Sequence, residues 1–376
     1  MKLISRIAVI LIFLLTIFLL FYKLDKPAFE RWDEQINVQV VNESLSSENF
    51  LVFKYQGLEF FDKPPLWYYL TMLIVKFTGP TVIAFRAVNA VSGLIICFLI
   101  FSLTRKHLGL YAGIVSVAAL LSISHLFINN PLGTGQFFST HTLRSADLDG
   151  LQILLLVLSL WLFDRVKNNR KYFYLGFMVL GLAFLTKGPF TLIPLVFYCW
   201  YFYRKRLFYR IKVKNLIIGL LLFFATILPW HILMLYYSGQ YFINSYLGYH
   251  ILSRLTIPLE GHSADIFFYI KIFLNFSAVT VWTLALLALV NKFKLRISNL
   301  LLDFSRFMFP ATIIFFSLVQ TKLAWYILPA YPFVAILVAW YSRILYKQKY
   351  KLLLKFLFTL LLLTGLGINT LNIYRL

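Results

Sequence analysis

Apolar runs of roughly 17 to 25 residues, the length a helix needs to cross a hydrocarbon core, recur along the whole chain. They never alternate with period two, so an outer-membrane barrel is excluded. The charge count agrees: of 376 residues, 61% are hydrophobic, only 13% are charged, and mean hydropathy is +0.80. Such a surface cannot stay wet, and the sequence predicts an integral membrane protein. The runs place spans near 3–22, 81–103, 108–128, 148–163, 172–186, 188–203, 215–232, 266–290, 300–319, 325–342 and 352–371, about eleven helices in an all-α polytopic fold. Residues 66–77 form a shorter apolar stretch interrupted by Lys76, which reads as an interfacial or re-entrant helix.

A formal net charge of +22 would suggest nucleic acid in a soluble protein, but here it must first be divided between two sides of a membrane. With the N-terminus in the cytoplasm, more than half of the 36 basic residues collect in the inner loops, including Arg105-Lys106, the Arg165–Lys171 turn and the Arg204–Lys214 turn. Of the 14 acidic residues only Asp164 and Asp303 fall inside. No nucleic-acid partner is expected, and the polar chemistry belongs to the outer face. That face is built from residues 23–80, 129–147 and 233–265, too long and too aromatic for idle loops. There is no repeat, and no soluble domain is expected after the last apolar run. Residues 1–376 therefore read as one membrane-embedded domain, with 23–80 as its first outer loop, containing interfacial helices. Phe21-Tyr22-Lys23-Leu24-Asp25 offers no small-residue cleavage site, so the N-terminal run reads as a retained helix. Cys97 and Cys199 lie in apolar runs without a metal or redox spacing and read as packing residues.

Four outer clusters carry ionisable groups. Arg31-Trp32-Asp33-Glu34 holds adjacent carboxylates, where repulsion can raise one pKa toward that of a general base, although a solvated start to an interfacial helix fits as well. In Phe61-Asp62-Lys63-Pro64-Pro65-Leu66-Trp67, two prolines fix an acid and a base at a defined depth, or simply make a kink beside an aromatic belt. Arg144-Ser145-Ala146-Asp147-Leu148-Asp149 stands at a helix mouth. Capping explains Asp147, whereas Asp149, already inside the run, needs a partner such as Arg144 or a wet cavity. The last cluster joins His250, Arg254, Glu260 and His262 to Gln320-Thr321-Lys322-Leu323-Ala324-Trp325-Tyr326. Its histidines are either hydrogen-bonded structural residues or metal ligands, and Lys322 is suited to an anionic headgroup.

Taken in order, these motifs resemble the lipid-linked-sugar-dependent membrane glycosyltransferases of the GT-C fold, in particular the protein O-mannosyltransferase and lipid A aminoarabinose transferase group. The likeness rests on Asp33-Glu34, Asp62-Lys63-Pro64-Pro65, Phe85-Arg86, Arg144 to Asp149, Leu185-Thr186-Lys187-Gly188-Pro189, Pro229-Trp230, His250 to Arg254 to His262, and Lys322-Leu323-Ala324-Trp325-Tyr326-Ile327-Leu328-Pro329. The resemblance implies transfer of a sugar, with inversion, from a polyprenyl phosphate to a lipid, glycan or protein acceptor at the outer face of a bacterial inner membrane. It gives Asp33, Glu34 and Asp149 as catalytic carboxylates, and Lys63, Arg254, Lys322 and Tyr326 as ligands of the donor phosphate. It also implies a divalent metal ion on Asp62 and His262. No nucleotide cofactor is expected, since neither a P-loop nor a dinucleotide fingerprint is present. A lipid transporter or flippase, or a ligase or polymerase using a lipid diphosphate, is the alternative reading.

Overall fold

The computed structural model describes residues 2–30, 32–48, 50–128, 140–206, 211–276, 299–347 and 352–376. The architecture is a helical bundle: α1 (Lys2–Phe21), α2 (Asp33–Ser46), α3 (Leu66–Thr78), α4 (Val82–Leu108), α5 (Leu110–Leu121), α6 (Asp149–Phe163), α7 (Lys171–Lys187), α8 (Leu192–Arg204), α9 (Val213–Phe242), α10 (Phe268–Phe276), α11 (Leu300–Leu318), α12 (Tyr331–Lys347) and α13 (Leu352–Arg375). Four described helical stretches are long and apolar enough to cross a membrane: Val82–Leu108, Val213–Thr256, Leu300–Leu318 and Ala324–Tyr346. Shorter apolar helices, Arg6–Phe21, Leu110–Leu121 and Asp149–Phe163, lie within three of the other expected spans, and the second half of the 266–290 span lies outside the described residues.

Helix ends follow local chemistry. Thr81 caps α4 by accepting from the Ala84 amide at 3.2 Å, and Gly109, at φ 93°, ends it after Arg105-Lys106-His107. Those cations suit the negative end of the helix dipole. Lys106 and His107 also hold Asp164, at 2.7 and 2.6 Å, which accounts for an acidic residue among the basic loops and ties the end of α4 to the end of α6. At the core, α4 packs on α5 and α6, α6 on α7, and α12 on α5. Residues Phe333–Ala339 of α12 are fully buried, as expected of a helix that is apolar all round.

One difference from the sequence reading bears on the site. The segment expected as an outer loop from residue 233 is helical well beyond it: α9 continues through a π-helical stretch, Ile243–Ser253, to Thr256. A helix of that length, at 1.5 Å per residue, far exceeds the roughly 30 Å hydrocarbon core and must emerge from it. It also bends at Gly239 (φ 52°, ψ −127°). The all-α fold carries one small hairpin in the first outer segment, where Lys54–Tyr55 and Leu58–Glu59 pair antiparallel around Gln56-Gly57, whose positive φ values suit a tight turn. Glu43 of α2 accepts from both turn amides, at 2.9 and 3.1 Å.

The first outer segment, holding α2, the hairpin and α3, is pinned to the bundle by two buried arginines. Arg86 of α4 reaches the carbonyls of Leu24, Pro27 and Ala28 and pairs with Glu34 at 2.8 Å. Arg144 takes the carbonyls of Leu19, Tyr22 and Lys23, capping the end of α1.

Candidate active site

Helix termini supply the charges. Asp33 and Asp149 are the first residues of α2 and α6, where the positive helix end favours a carboxylate. Lys187 is the last residue of α7, where a cation is favoured. Pro64 and Pro65 hold Lys63 just ahead of α3. Trp32, directly before Asp33, takes φ 74°, a left-handed conformation costing a tryptophan about 1–3 kcal/mol. The packed surroundings must impose it.

These ends surround a cavity of about 180 Å³. Its polar wall carries Asp33, Asp62, Lys63, Asp149, Lys187, His250, Arg254 and Tyr326, and its apolar wall includes Leu255, Phe315, Phe316 and Leu323. Lys63 Nζ stands 3.1 Å from Asp33 Oδ2, and His141 Nε2 stands 2.9 Å from the same oxygen. His141 Nδ1 lies 2.5 Å from Asp149 Oδ2, and Lys187 donates to Asp149 Oδ1. The imidazole stacks on Trp325, with ring centroids 4.2 Å apart and planes 11° from parallel. On the facing side Asp62 pairs with His250 at 2.8 Å, and Arg254 donates to Tyr326 Oη at 3.3 Å.

Asp147 lies behind this wall. Its carboxylate accepts from the Asp149 amide at 2.8 Å, from Asn89 at 2.9 Å and from Ser145. Asn89 reaches it over Gly150, where a Cβ would meet the Asn89 amide carbon at 2.7 Å. A side chain at position 150 would push this network apart.

Burial pushes the Asp33 carboxyl up, but Lys63 and His141 outweigh it and hold the group well below the usual carboxylate range. Lys63 is raised, because Asp33 and Asp62 overcome the burial that would lower it. Burial would lower His141 too, yet Asp147 and the contacts to Asp149 and Asp33 raise it to about 9. Since carboxylates only accept, contacts to both ring nitrogens require the doubly protonated imidazolium. Burial pushes Asp147 up to about 6.

The structure thus brings Asp33, Asp62, Lys63, Asp149, Arg254 and Tyr326 to one cavity and handles the remaining candidates differently. Asp33 and Glu34 do not share a site: Glu34 is 1% exposed, absent from the cavity lining, and spent on Arg86 and on the Ala146 amide. Lys322 does not line the cavity. Its ammonium donates to the carbonyls of Phe316, Ser317 and Val319 and so closes the end of α11. Asp62 meets His250 and not His262, which sits 3.9 Å from Glu260 and against Trp32. Asp149 is partnered by Lys187 and His141, and Arg144 is engaged at α1. Arg31 and residues 129–139 lie outside the described residues. Sequence reasoning quoted Lys187 only within the Leu185–Pro189 motif, without a role, and left His141 out. For Lys187 a signal existed, a lone lysine between two apolar runs at the same face as Asp149; His141 stands three residues ahead of the Arg144 motif, with no spacing to tie it to Asp33.

His141, Asp147 and Asp149 each offer a ligand atom within 4.8 Å of one another, a grouping with the chemistry to hold a metal ion. Here both imidazole nitrogens are spent on carboxylates and Lys187 neutralises Asp149, so protein cations occupy the place of the ion. Asp62 and His250 add a second pair of ordinary metal donors, a carboxylate oxygen and an imidazole nitrogen, both on the cavity wall.

Comparison with known proteins agrees with the geometry. Residues 62–232 match the family model described as dolichyl-phosphate-mannose-protein mannosyltransferase. A protein of Aquifex aeolicus without an assigned function is 28% identical over 315 residues, covering 82% of this chain and 67% of that protein. The undecaprenyl phosphate-alpha-4-amino-4-deoxy-L-arabinose arabinosyl transferase of Edwardsiella ictaluri is 27% identical over 351 residues, covering 88% of this chain and 59% of that one. The crystal structure of ArnT from Cupriavidus metallidurans bound to undecaprenyl phosphate superposes with a TM-score of 0.73 at 20% identity, over 89% of this chain and 60% of that one. The chain therefore spans about 60% of the length of that solved structure. Fold and site together define a polytopic α-helical membrane protein of the GT-C fold. Within that class it resembles the protein O-mannosyltransferase and lipid A aminoarabinose transferase group.

Proposed function

We propose that the protein is an inverting glycosyltransferase of a bacterial inner membrane, with its N-terminus in the cytoplasm and its site on the outer, periplasmic face. It moves a sugar from a polyprenyl phosphate to a lipid, glycan or protein hydroxyl. Residues 23–80 act as the catalytic loop of a single membrane-embedded domain. The observation that carries this reading is the Asp33 carboxylate held 3.1 Å from Lys63 on a cavity with further cations on one wall and aromatic rings on the other. A lipid phosphate needs that pairing of cations with an apolar groove.

In the reaction the acceptor oxygen attacks the anomeric carbon opposite the phosphate. The bond from that carbon to the phosphate oxygen breaks, polyprenyl phosphate leaves with the electron pair, and the acceptor proton passes to Asp33. Lys63, Arg254 and Lys187 are the cations within the cavity that stabilise the charge left on the phosphate. Lys63 has a second effect. When the donor phosphate draws its ammonium away, Asp33 loses an interaction that depresses its pKa and becomes the stronger base. Tyr326, bonded to Arg254, fixes the guanidinium. Asp62 and His250 would hold a metal ion, which supplies further positive charge to the phosphate. Lys322, closing α11, supports the wall through which Tyr326 enters.

The test is turnover by purified protein with radiolabelled dolichyl-phosphate mannose and undecaprenyl phosphate-4-amino-4-deoxy-L-arabinose, following release of the polyprenyl phosphate. Release that Asp33→Asn abolishes in a folded protein supports the reading. Full turnover by Asp33→Asn would show that the base lies elsewhere.

A further inference from the structure

Lys63 and His141 both hold Oδ2 of Asp33, and Oδ1 has no hydrogen-bond partner among the described residues. A carboxylate gripped on one oxygen presents the other. Of the two grips, the lysine is the one a donor phosphate competes for, because Lys63 lines the cavity. His141 is 2% exposed and does not line it. Its ring is fixed on three sides, by Asp33 at one nitrogen, by Asp149 at the other and by the face of Trp325. The charged groups facing it are Asp33 from α2, Asp147 and Asp149 at the start of α6, and Lys187 beyond Asp149 from α7. His125, also buried, is near enough to act on it electrostatically.

We infer that His141 is the positioning residue for Asp33: once the donor has claimed Lys63, the imidazole alone holds Oδ2 and keeps Oδ1 turned toward the acceptor hydroxyl, with Asp149, Lys187 and Trp325 fixing the imidazole in turn. This rests on Asp33 being the base, and it adds the group that makes the base directional. A proton-accepting oxygen has to lie within about 2.6–3.2 Å of the hydroxyl it serves. Misplacement by an ångström costs on the order of a hundredfold in rate.

The experiment uses the full chain in detergent or nanodiscs and compares wild type, His141→Gln, His141→Ala and Asp33→Asn. With the sugar donor that supports release of polyprenyl phosphate, His141→Gln and His141→Ala are expected to lose about tenfold to a hundredfold in kcat, with KM within about twofold. Purely structural damage would instead raise KM. A second measurement needs no turnover: in protein labelled with ¹⁵N-histidine, the His141 signals, assigned from His141→Gln, should show both nitrogens protonated at neutral pH and should shift on Asp33→Asn. A His141→Gln kcat within twofold of wild type, or His141 signals that Asp33→Asn leaves unmoved, would overturn the inference. If Asp33→Asn keeps full turnover while the His141 signals do shift, the contact stands and the assignment of the base has failed.

Discussion

Lys187, the last residue of α7, closes on Asp149, the first residue of α6, so that the positive end of one helix and the negative end of its neighbour meet through their own side chains. The pair explains how a carboxylate that is 1% exposed survives at the mouth of an apolar helix. Lys187→Met would leave Asp149 with the imidazole alone. The expected cost is about 3 kcal/mol, since removing one partner of a buried pair strands the other. Thermal unfolding in detergent should show the loss, and adding Asp149→Asn should recover part of it.

Lys63 and Lys322 separate by what their ammonium groups touch. Lys63 faces the cavity, so Lys63→Ala should weaken binding of undecaprenyl phosphate by at least tenfold with little change in melting temperature. Lys322 is bonded to three carbonyls at the end of α11, so Lys322→Ala should lower the melting temperature more than the affinity. Fluorescence-detected binding and thermal melts on the same samples decide it, and the reverse pattern would return Lys322 to the donor site.

The imidazole network sets a pH window. His141 is raised from its ordinary value near 6.5 to about 9, so the stability it contributes is fully present below 6.5 and is lost as pH rises through 9. Asp33 is depressed, so its contribution is present above the usual carboxylate range and lost only in strong acid. Melting temperature should therefore fall progressively between about pH 6.5 and 9 and level off above that. In His141→Gln the alkaline fall should be smaller.

The pairing of Asp62 with His250 makes a distinction between histidines. His250→Ala should lower affinity for undecaprenyl phosphate about tenfold, and His262→Ala should leave it within about twofold, both read by the binding assay used for Lys63. Equal losses would mean that His262 also reaches the phosphate.

What the sequence determined by itself was the solvent. Long apolar runs allow only membrane helices, because an unpaired backbone cannot remain in hydrocarbon, and Lys/Arg asymmetry gives an expected side for each loop. Short motifs also carried far: Asp62-Lys63-Pro64-Pro65 is rigid over four residues, so its acid and base stay together in any fold.

Tertiary structure decided which neighbour each charge meets. Asp33 and Glu34 are adjacent in sequence, but successive residues of a helix point about 100° apart, and only packing could send one to the cavity and the other to Arg86. Asp62 could have met either His250 or His262. The continuation of α9 to Thr256 chose the first, since the helical run sets where that histidine stands. His141, 108 residues from Asp33 and outside every motif, reached it only when the start of α6 was brought beside the start of α2. Periodicity and local turn chemistry fix elements because they act over a few residues. A site assembled from four helix ends depends on their relative placement, and only the packed bundle supplies that.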